Sequence, residues 1–271
     1  MRSFSRRQFA RLLFGGAVAS LISTCTPERG TGPTAGQGSR ATVPQPVPPT
    51  ATSDPTAVPT PVAAPTQPTL SSKNVGKFYV RYHRDFKAPN PDRWTLAVDG
   101  LVRNPQRMSL SNVLALPAIS QVSRMKCVEC WSAAAKWEGF HISTLMELAD
   151  PDPKADWVHF LCADGYYESM RVEALLQDRV LFVHHMDDEI LPDIYGAPLR
   201  LMVPFRYGYK SAKAIESIEF AEDELYGYWS TVGYTTHGEI RPGRDNPLDL
   251  PGVRQIEGGA EIFYPEGIES R

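Results

Sequence analysis

The chain has 271 residues, with 28 basic and 31 acidic side chains and a formal net charge of −3. That balance argues against nucleic acid as a partner, because phosphate binding requires a cationic surface. Four cysteines are too few for the paired framework that holds small exported domains together.

The N-terminus reads as an address rather than as structure. Met1-Arg2-Ser3-Phe4-Ser5-Arg6-Arg7-Gln8-Phe9 precedes an apolar run from Leu12 to Ile22, well short of the ~20 apolar residues that span a bilayer. Residues 1–25 are therefore expected to be a signal peptide, and Ser5-Arg6-Arg7-Gln8-Phe9 resembles the twin-arginine export signal. Ile22-Ser23-Thr24-Cys25 resembles a lipoprotein cleavage box, which would make Cys25 the lipid anchor; cleavage after Ala19 is the alternative. Loss of Arg2, Arg6, Arg7 and Arg11 with the signal moves the net charge from −3 to −7. Residues 26–70 follow as a linker, with eleven of the chain's 24 prolines lying in 27–70 and almost no bulky apolar side chains. Such a segment buries too little apolar surface to offset its ordering entropy, so a disordered tether is expected.

About 200 residues, 71–271, remain for one domain with a sizeable core. Trp94 to Val98 alternates like a strand and ends at the turn Asp99-Gly100. Gln121 to Val128 reads as a second strand. Thr144-Leu145-Met146-Glu147 offers a capping box for a helix reaching Ala149 and stopped by Pro151. Asp156–Cys162, Val180–Met186, Leu199–Val203 and Ala214–Phe220 read as largely buried strands. Strands separated by irregular stretches and short helices predict an α+β fold of mixed sheets.

The chemistry centres on Lys126-Cys127-Val128-Glu129-Cys130-Trp131. Taken alone, its CxxC fits a redox dithiol, a structural disulfide or core pair, or a single-cysteine metal ligand. A zinc site would need two more ligands, and neither a second CxxC nor a close histidine pair with that spacing is present; haem attachment would need histidine at 131.

The segments around it resemble the sulfite oxidase superfamily of molybdopterin enzymes, and in particular its exported bacterial methionine-sulfoxide reductase branch. The resemblance runs in order through Phe78 to His83, Trp94 to Val102, Met125 to Ser132, Asp164 to Ser169, Gly196 to Pro204, Tyr207 to Lys213 and Gly227 to Trp229. It implies a sulfite-oxidase-like fold and a molybdenum–molybdopterin cofactor whose metal takes one protein thiolate, Cys127, a soft donor suited to it. It implies that Arg200, Ser211, Ala212 and Lys213 line the phosphate and pterin, Ser211 and Ala212 through backbone N–H groups. Tyr79, Val80 and His83 would wrap the pterin from the N-terminal side, and Cys162 would stand against it. Trp131 is a candidate wall of the substrate pocket, and His184 a candidate proton donor near the metal; core roles for both remain open.

The resemblance further implies two-electron oxygen-atom transfer, with molybdenum cycling between Mo(IV) and Mo(VI). Sulfite oxidases follow the metal cysteine with arginines, whereas Val128 to Ala133 has none and carries Glu129. A sulfoxide or other S-oxide, including methionine sulfoxide in damaged envelope proteins, is therefore expected over an anionic substrate. Sulfite oxidation, a thiol–disulfide module on Cys127 and Cys130, and a non-catalytic cofactor-binding lipoprotein are the alternatives. With no haem motif in the chain, electrons would come from a separate partner such as a membrane haem protein. A monomer, exported to the periplasm or outer cell surface and membrane-anchored, is expected.

Overall fold

The computed structural model describes residues 78–81, 83–84 and 88–264. The expected signal peptide, Cys25 and the 26–70 linker lie outside the described residues.

Two sheets organise the domain. The first has the order β2 (Gln106–Ser109), β1 (Thr95–Gly100), β10 (Ile215–Ala221), β5 (Trp157–Cys162), β6 (Tyr167–Arg171), with β1 and β10 parallel. The second is built on the hairpin of β3 (Ile119–Lys126) and β4 (Trp131–Phe140), paired from Ile119↔Gly139 to Lys126↔Ser132. Since β3 pairs along nearly all of β4, two strands share the other edge. β11 (Gly243–Pro247) joins in parallel at Trp131–Ser132, and β7 (Leu181–Met186) joins antiparallel at Trp137–Phe140. β8 (Glu189–Ile190) and β9 (Arg200–Met202) pair with β7, and β12 (Arg254–Ile256) with β11.

Both faces of the second sheet are buried. Successive strand side chains point to opposite faces. Phe182 and Leu201 accordingly enter a core with Leu96, Val98, Phe160 and Phe220 of the first sheet. Their neighbours Leu181, Val183 and Met202 enter a second core with Ala133, Ala135, Trp137 and Phe78. The expected strands and the α+β class match this architecture to within a residue or two at most ends.

Four short α-helices, α1 (Leu110–Leu114), α2 (Ile142–Ala149), α3 (Val172–Leu175) and α4 (Tyr228–Thr231), and two 3-10 turns at Asp193–Tyr195 and Gly208–Lys210 complete the described fold. α2 corrects the expected capping box. The helix begins two residues before Thr144, capped by the His141 side chain, which accepts from the Ser143 N–H. An imidazole nitrogen can accept the orphan N–H as a hydroxyl would. The capping box occurs instead at α1, where Ser109 and Asn112 exchange bonds.

Buried ion pairs fasten β11 and the segment that follows it to the hairpin. Arg124 makes a bidentate pair with Asp249 at 2.6 and 2.7 Å, and its guanidinium also bonds the Ser132 hydroxyl at 3.2 Å. Lys126 pairs with Asp245 at 3.0 Å, both under 5% exposed. Removing one partner of such a pair strands a buried charge at a cost of about 3–5 kcal/mol, while replacing both by apolar groups is far cheaper. Arg124→Met should therefore markedly lower the urea midpoint of unfolding, and Arg124→Met with Asp249→Leu should recover most of the loss. Equal midpoints for the two variants would show that the pair does not hold this segment.

Candidate cofactor site around Cys127

Cys127 sits at the tip of the β3–β4 hairpin. Its N–H donates to the Trp131 carbonyl at 2.8 Å, and Cys130 closes the turn in the left-handed region at φ 66°. The Glu129 N–H points back at the Cys127 sulfur at 3.5 Å. Cys127 is a free thiol. The two cysteines of the CxxC are thus not joined to each other, which leaves the Cys127 sulfur available to a metal.

Burial pushes the Cys127 thiol up to about 11, and the Glu129 carboxylate adds to the rise. The Glu129 N–H, Lys126 and Arg81 pull the other way without overcoming it. The isolated thiol is therefore protonated at neutral pH. A bound metal ion would supply the charge that deprotonates it outright.

Around the thiol stand aromatic rings and one neutralised cation. The Trp131 indole N–H donates to Glu129 Oε2 at 3.3 Å, and Glu129 Oε1 pairs with Arg81 at 3.3 Å. Tyr79 meets Trp131 edge-on at 5.4 Å, and Phe78 meets it at 6.3 Å. Trp131 is thus a core residue that also supports the Cys127 turn through Glu129. Tyr79 is 57% exposed, while Val80 packs on the second core.

The anion-binding candidates adjoin this turn through Arg81, whose carbonyl accepts a short hydrogen bond from the Lys213 ammonium. Burial and the nearby Arg200 push Lys213 down to about 7. Arg200, 3% exposed, donates to the Tyr195 carbonyl at 3.0 Å and lies over the Trp137 ring at 5.1 Å. It also contacts the Met125 sulfur at 3.7 Å, two residues before Cys127. Two desolvated cations that repel each other are a receptor for a multivalent anion, which would relieve both. Gly196 makes the approach: a β-carbon there would lie 2.7 Å from Lys213 Cβ.

Cys162 lies on the same side, its sulfur accepting from the Lys213 N–H, and burial holds it as a neutral thiol. The His83 N–H donates to Asp164 at 3.2 Å, and its ring packs on Tyr228 with centroids 4.1 Å apart. Burial and Arg84 lower the His83 pKa, partly opposed by Asp164, and its buried Nδ1 has no hydrogen-bond partner. A free soft sulfur, facing cations and an orphaned ring nitrogen fit a molybdenum cofactor bearing a phosphate and a polar pterin. Cys127 would hold the metal, Arg200 and Lys213 the phosphate, and His83 the pterin.

Two expectations need correction. Ser211 does not offer its backbone N–H, which donates to Gly208 O at 3.1 Å, and its hydroxyl accepts from the Val203 N–H. Its role is to shape the strand that carries Arg200, while Ala212, 1% exposed, accepts from the Leu201 N–H. His184 is not beside Cys127. The β4–β7 register places it between Glu138 and Gly139, seven residues along β4 from Trp131, about 23 Å at ~3.3 Å per residue.

Other residues at the site were not singled out by sequence reasoning. Lys210 and Glu168 form a buried pair at 2.7 Å, with the Tyr166 hydroxyl 3.3 Å from the carboxylate. A β-carbon at Gly227 would fall 2.1 Å from that carboxylate, so only glycine brings Tyr228 over His83. A charge between Tyr167 and Ser169 in a strand was the available signal for Glu168.

A family model described as the oxidoreductase molybdopterin binding domain matches residues 83–229. The chain is 32% identical over 195 residues, 64% of its length, to the protein-methionine-sulfoxide reductase catalytic subunit MsrP of Gluconobacter oxydans. It is 37% identical over 143 residues, 53% of its length, to the putative protein-methionine-sulfoxide reductase subunit YedZ1 of Azospira oryzae. These matches span 62% and 55% of the two relatives. Among solved structures, the sulfane dehydrogenase SoxCD of Paracoccus pantotrophus shares the fold, with a TM-score of 0.54 at 17% identity over 66% of this chain and 49% of that one.

In cofactor-free protein, alkylation of Cys127 by iodoacetamide should be slow at neutral pH. The rate should rise about tenfold per pH unit, following the thiolate fraction, until it levels near 11. Mass spectrometry of the modified peptide measures it. Alkylation already maximal at pH 8 would show that burial does not hold the proton on this sulfur.

Proposed function

The chain belongs to the family of oxidoreductase molybdopterin-binding domains, and on that premise we propose that it is a molybdenum-dependent oxidoreductase that reduces sulfoxides. The observation that carries this reading is the free Cys127 thiol at the head of an arginine-free turn, beside the Glu129 carboxylate. The cofactor, when bound, supplies two-electron oxygen-atom transfer.

The chain's own residues determine what reaches it. Cys127 would anchor the metal, and Arg200 and Lys213 would neutralise the cofactor's phosphate. Glu129 presents negative charge within 3.8 Å of the sulfur and ties up Arg81. An anionic substrate such as sulfite meets that carboxylate, whereas a neutral S-oxide does not. The exposed Tyr79 ring offers an apolar contact for a thioether substituent. Methionine sulfoxide in oxidised proteins is the favoured substrate, in keeping with the names of the two reductase relatives.

The same reading extends to the cell. Ser5-Arg6-Arg7-Gln8-Phe9 supports twin-arginine export, and Cys25 supports lipid anchorage at the periplasmic or outer surface. A separate redox protein, such as a membrane haem protein, delivers the electrons, and the enzyme acts as a monomer.

Natively exported protein should contain one molybdenum and one pterin per chain. Both should be lost in Cys127→Ser and kept in Cys130→Ser. With a reduced viologen as donor, the loaded protein should reduce methionine sulfoxide, and Cys127→Ser should fall to background. A fully loaded protein that oxidises sulfite but leaves sulfoxides untouched would falsify the substrate assignment. Stoichiometric zinc at Cys127 in place of molybdenum would overturn the enzyme assignment.

A further inference from the structure

His184, His185 and Glu138 meet at the end of β4 remote from Cys127. Neighbouring strand residues ordinarily point to opposite faces, but the pairing Glu138↔His185 is followed by Gly139↔Val183, so His184 is an extra residue in β7. A bulge of this kind re-aims a side chain and is over-represented at functional sites. Here it turns both imidazoles together, their Nδ1 atoms 2.5 Å apart. His185 Nδ1 also lies 3.9 Å from Glu138 Oε1. One ligand atom from each of the three residues lies within 4.8 Å of the other two.

We propose that Glu138, His184 and His185 form a second metal site, for a divalent first-row transition ion of the zinc class. Two imidazoles and a carboxylate are a borderline donor set that favours such an ion over calcium or magnesium. Two ring nitrogens at 2.5 Å cannot both carry protons, so at most one proton lies between them. A metal would replace it, with the nitrogens opening to about 3.3 Å around a tetrahedral ion with Zn–N bonds of ~2.05 Å. The Ser120 hydroxyl donates to Glu138 Oε2 at 2.9 Å, leaving Oε1 towards His185; such outer contacts orient ligands in known metal sites. His184 is 2% exposed, while His185 and Glu138 are partly exposed, so an ion can enter from solvent. Three protein ligands leave a position open for water or an exogenous donor.

The test uses molybdenum-loaded protein, in which Cys127 is occupied, stripped of loosely held metal with a chelator and titrated with Zn²⁺. One zinc per chain should survive desalting. His185→Ala and Glu138→Gln should each weaken binding at least about tenfold, and Ser120→Ala about 10–100-fold, with molybdenum content unchanged in all three. Cu²⁺ used as a spectroscopic probe should show coupling to two imidazole nitrogens, reduced to one in His185→Ala. The proposal is overturned if no zinc is retained, or if retention is the same in His185→Ala and Glu138→Gln as in the parent. Loss of molybdenum with zinc would also overturn it, because the two sites would then not be independent.

Discussion

The position of Cys127 depends on charge buried beneath it. The residue just before the turn, Lys126, and one of the first residues after it, Ser132, both reach Asp245 on β11. Arg124, two residues further back, bonds Ser132 and Asp249 and lies 4.8 Å from the centre of the Tyr264 ring. Buried pairs of this kind add little stability over an apolar core, but they penalise any register that leaves a charge alone. A one-residue slip in the β3–β4 hairpin would send Lys126 to the opposite face and strand Asp245. The ionic cluster therefore fixes where the turn begins and so where the sulfur stands. β11 joins the sheet in parallel at Trp131 and Ser132, where these charges lie.

A second constraint positions the cationic half of the site. Arg200 lies on β9 opposite Val183 and follows the turn Asp193–Gly196, while Lys213 lies just before β10 in the other sheet. The two sheets meet there through the backbone: Ala214 N–H donates to Gly196 O and Ile215 N–H to Leu199 O. Gly196, without a side chain, lets the Lys213 stem lie against the turn. The cations are brought together by main-chain bonds rather than by attraction, since they repel each other. Burial, and after it the repulsion from Arg200, depresses the Lys213 pKa, and an anionic cofactor would oppose both.

Much of this was legible in the sequence where one pattern dominated. β1, β5 and β10 alternate or run apolar between turn signals, and all three appear close to their expected bounds. β4 was not legible. Trp131 to Phe140 buries residues on both faces, and its Ser-Ala-Ala-Ala centre neither alternates nor carries β-branched residues. β11 was missed for a related reason: Gly243-Arg244-Asp245-Asn246-Pro247 has strand geometry because Asp245 is wanted inside, which no propensity reports. Cys127, Arg200 and Lys213 were found by resemblance. His184 was misplaced because linear order cannot show which end of a shared strand its partner occupies. Only the register of β4 with β7 resolves that.

The electrostatics at the turn follow from one substitution of character. Where an oxyanion-binding site would want arginine, the turn carries Glu129, and this side chain engages the sulfur, the Trp131 indole and Arg81 together. A thiol raised by burial and by that carboxylate would be a poor nucleophile and a slow redox partner at neutral pH. The same sulfur is well suited to a metal, because the metal's charge outweighs both effects. Protonation in the absence of metal also protects it from alkylation and oxidation before the cofactor arrives. The features that make Cys127 unreactive as a thiol are thus compatible with its use as a ligand.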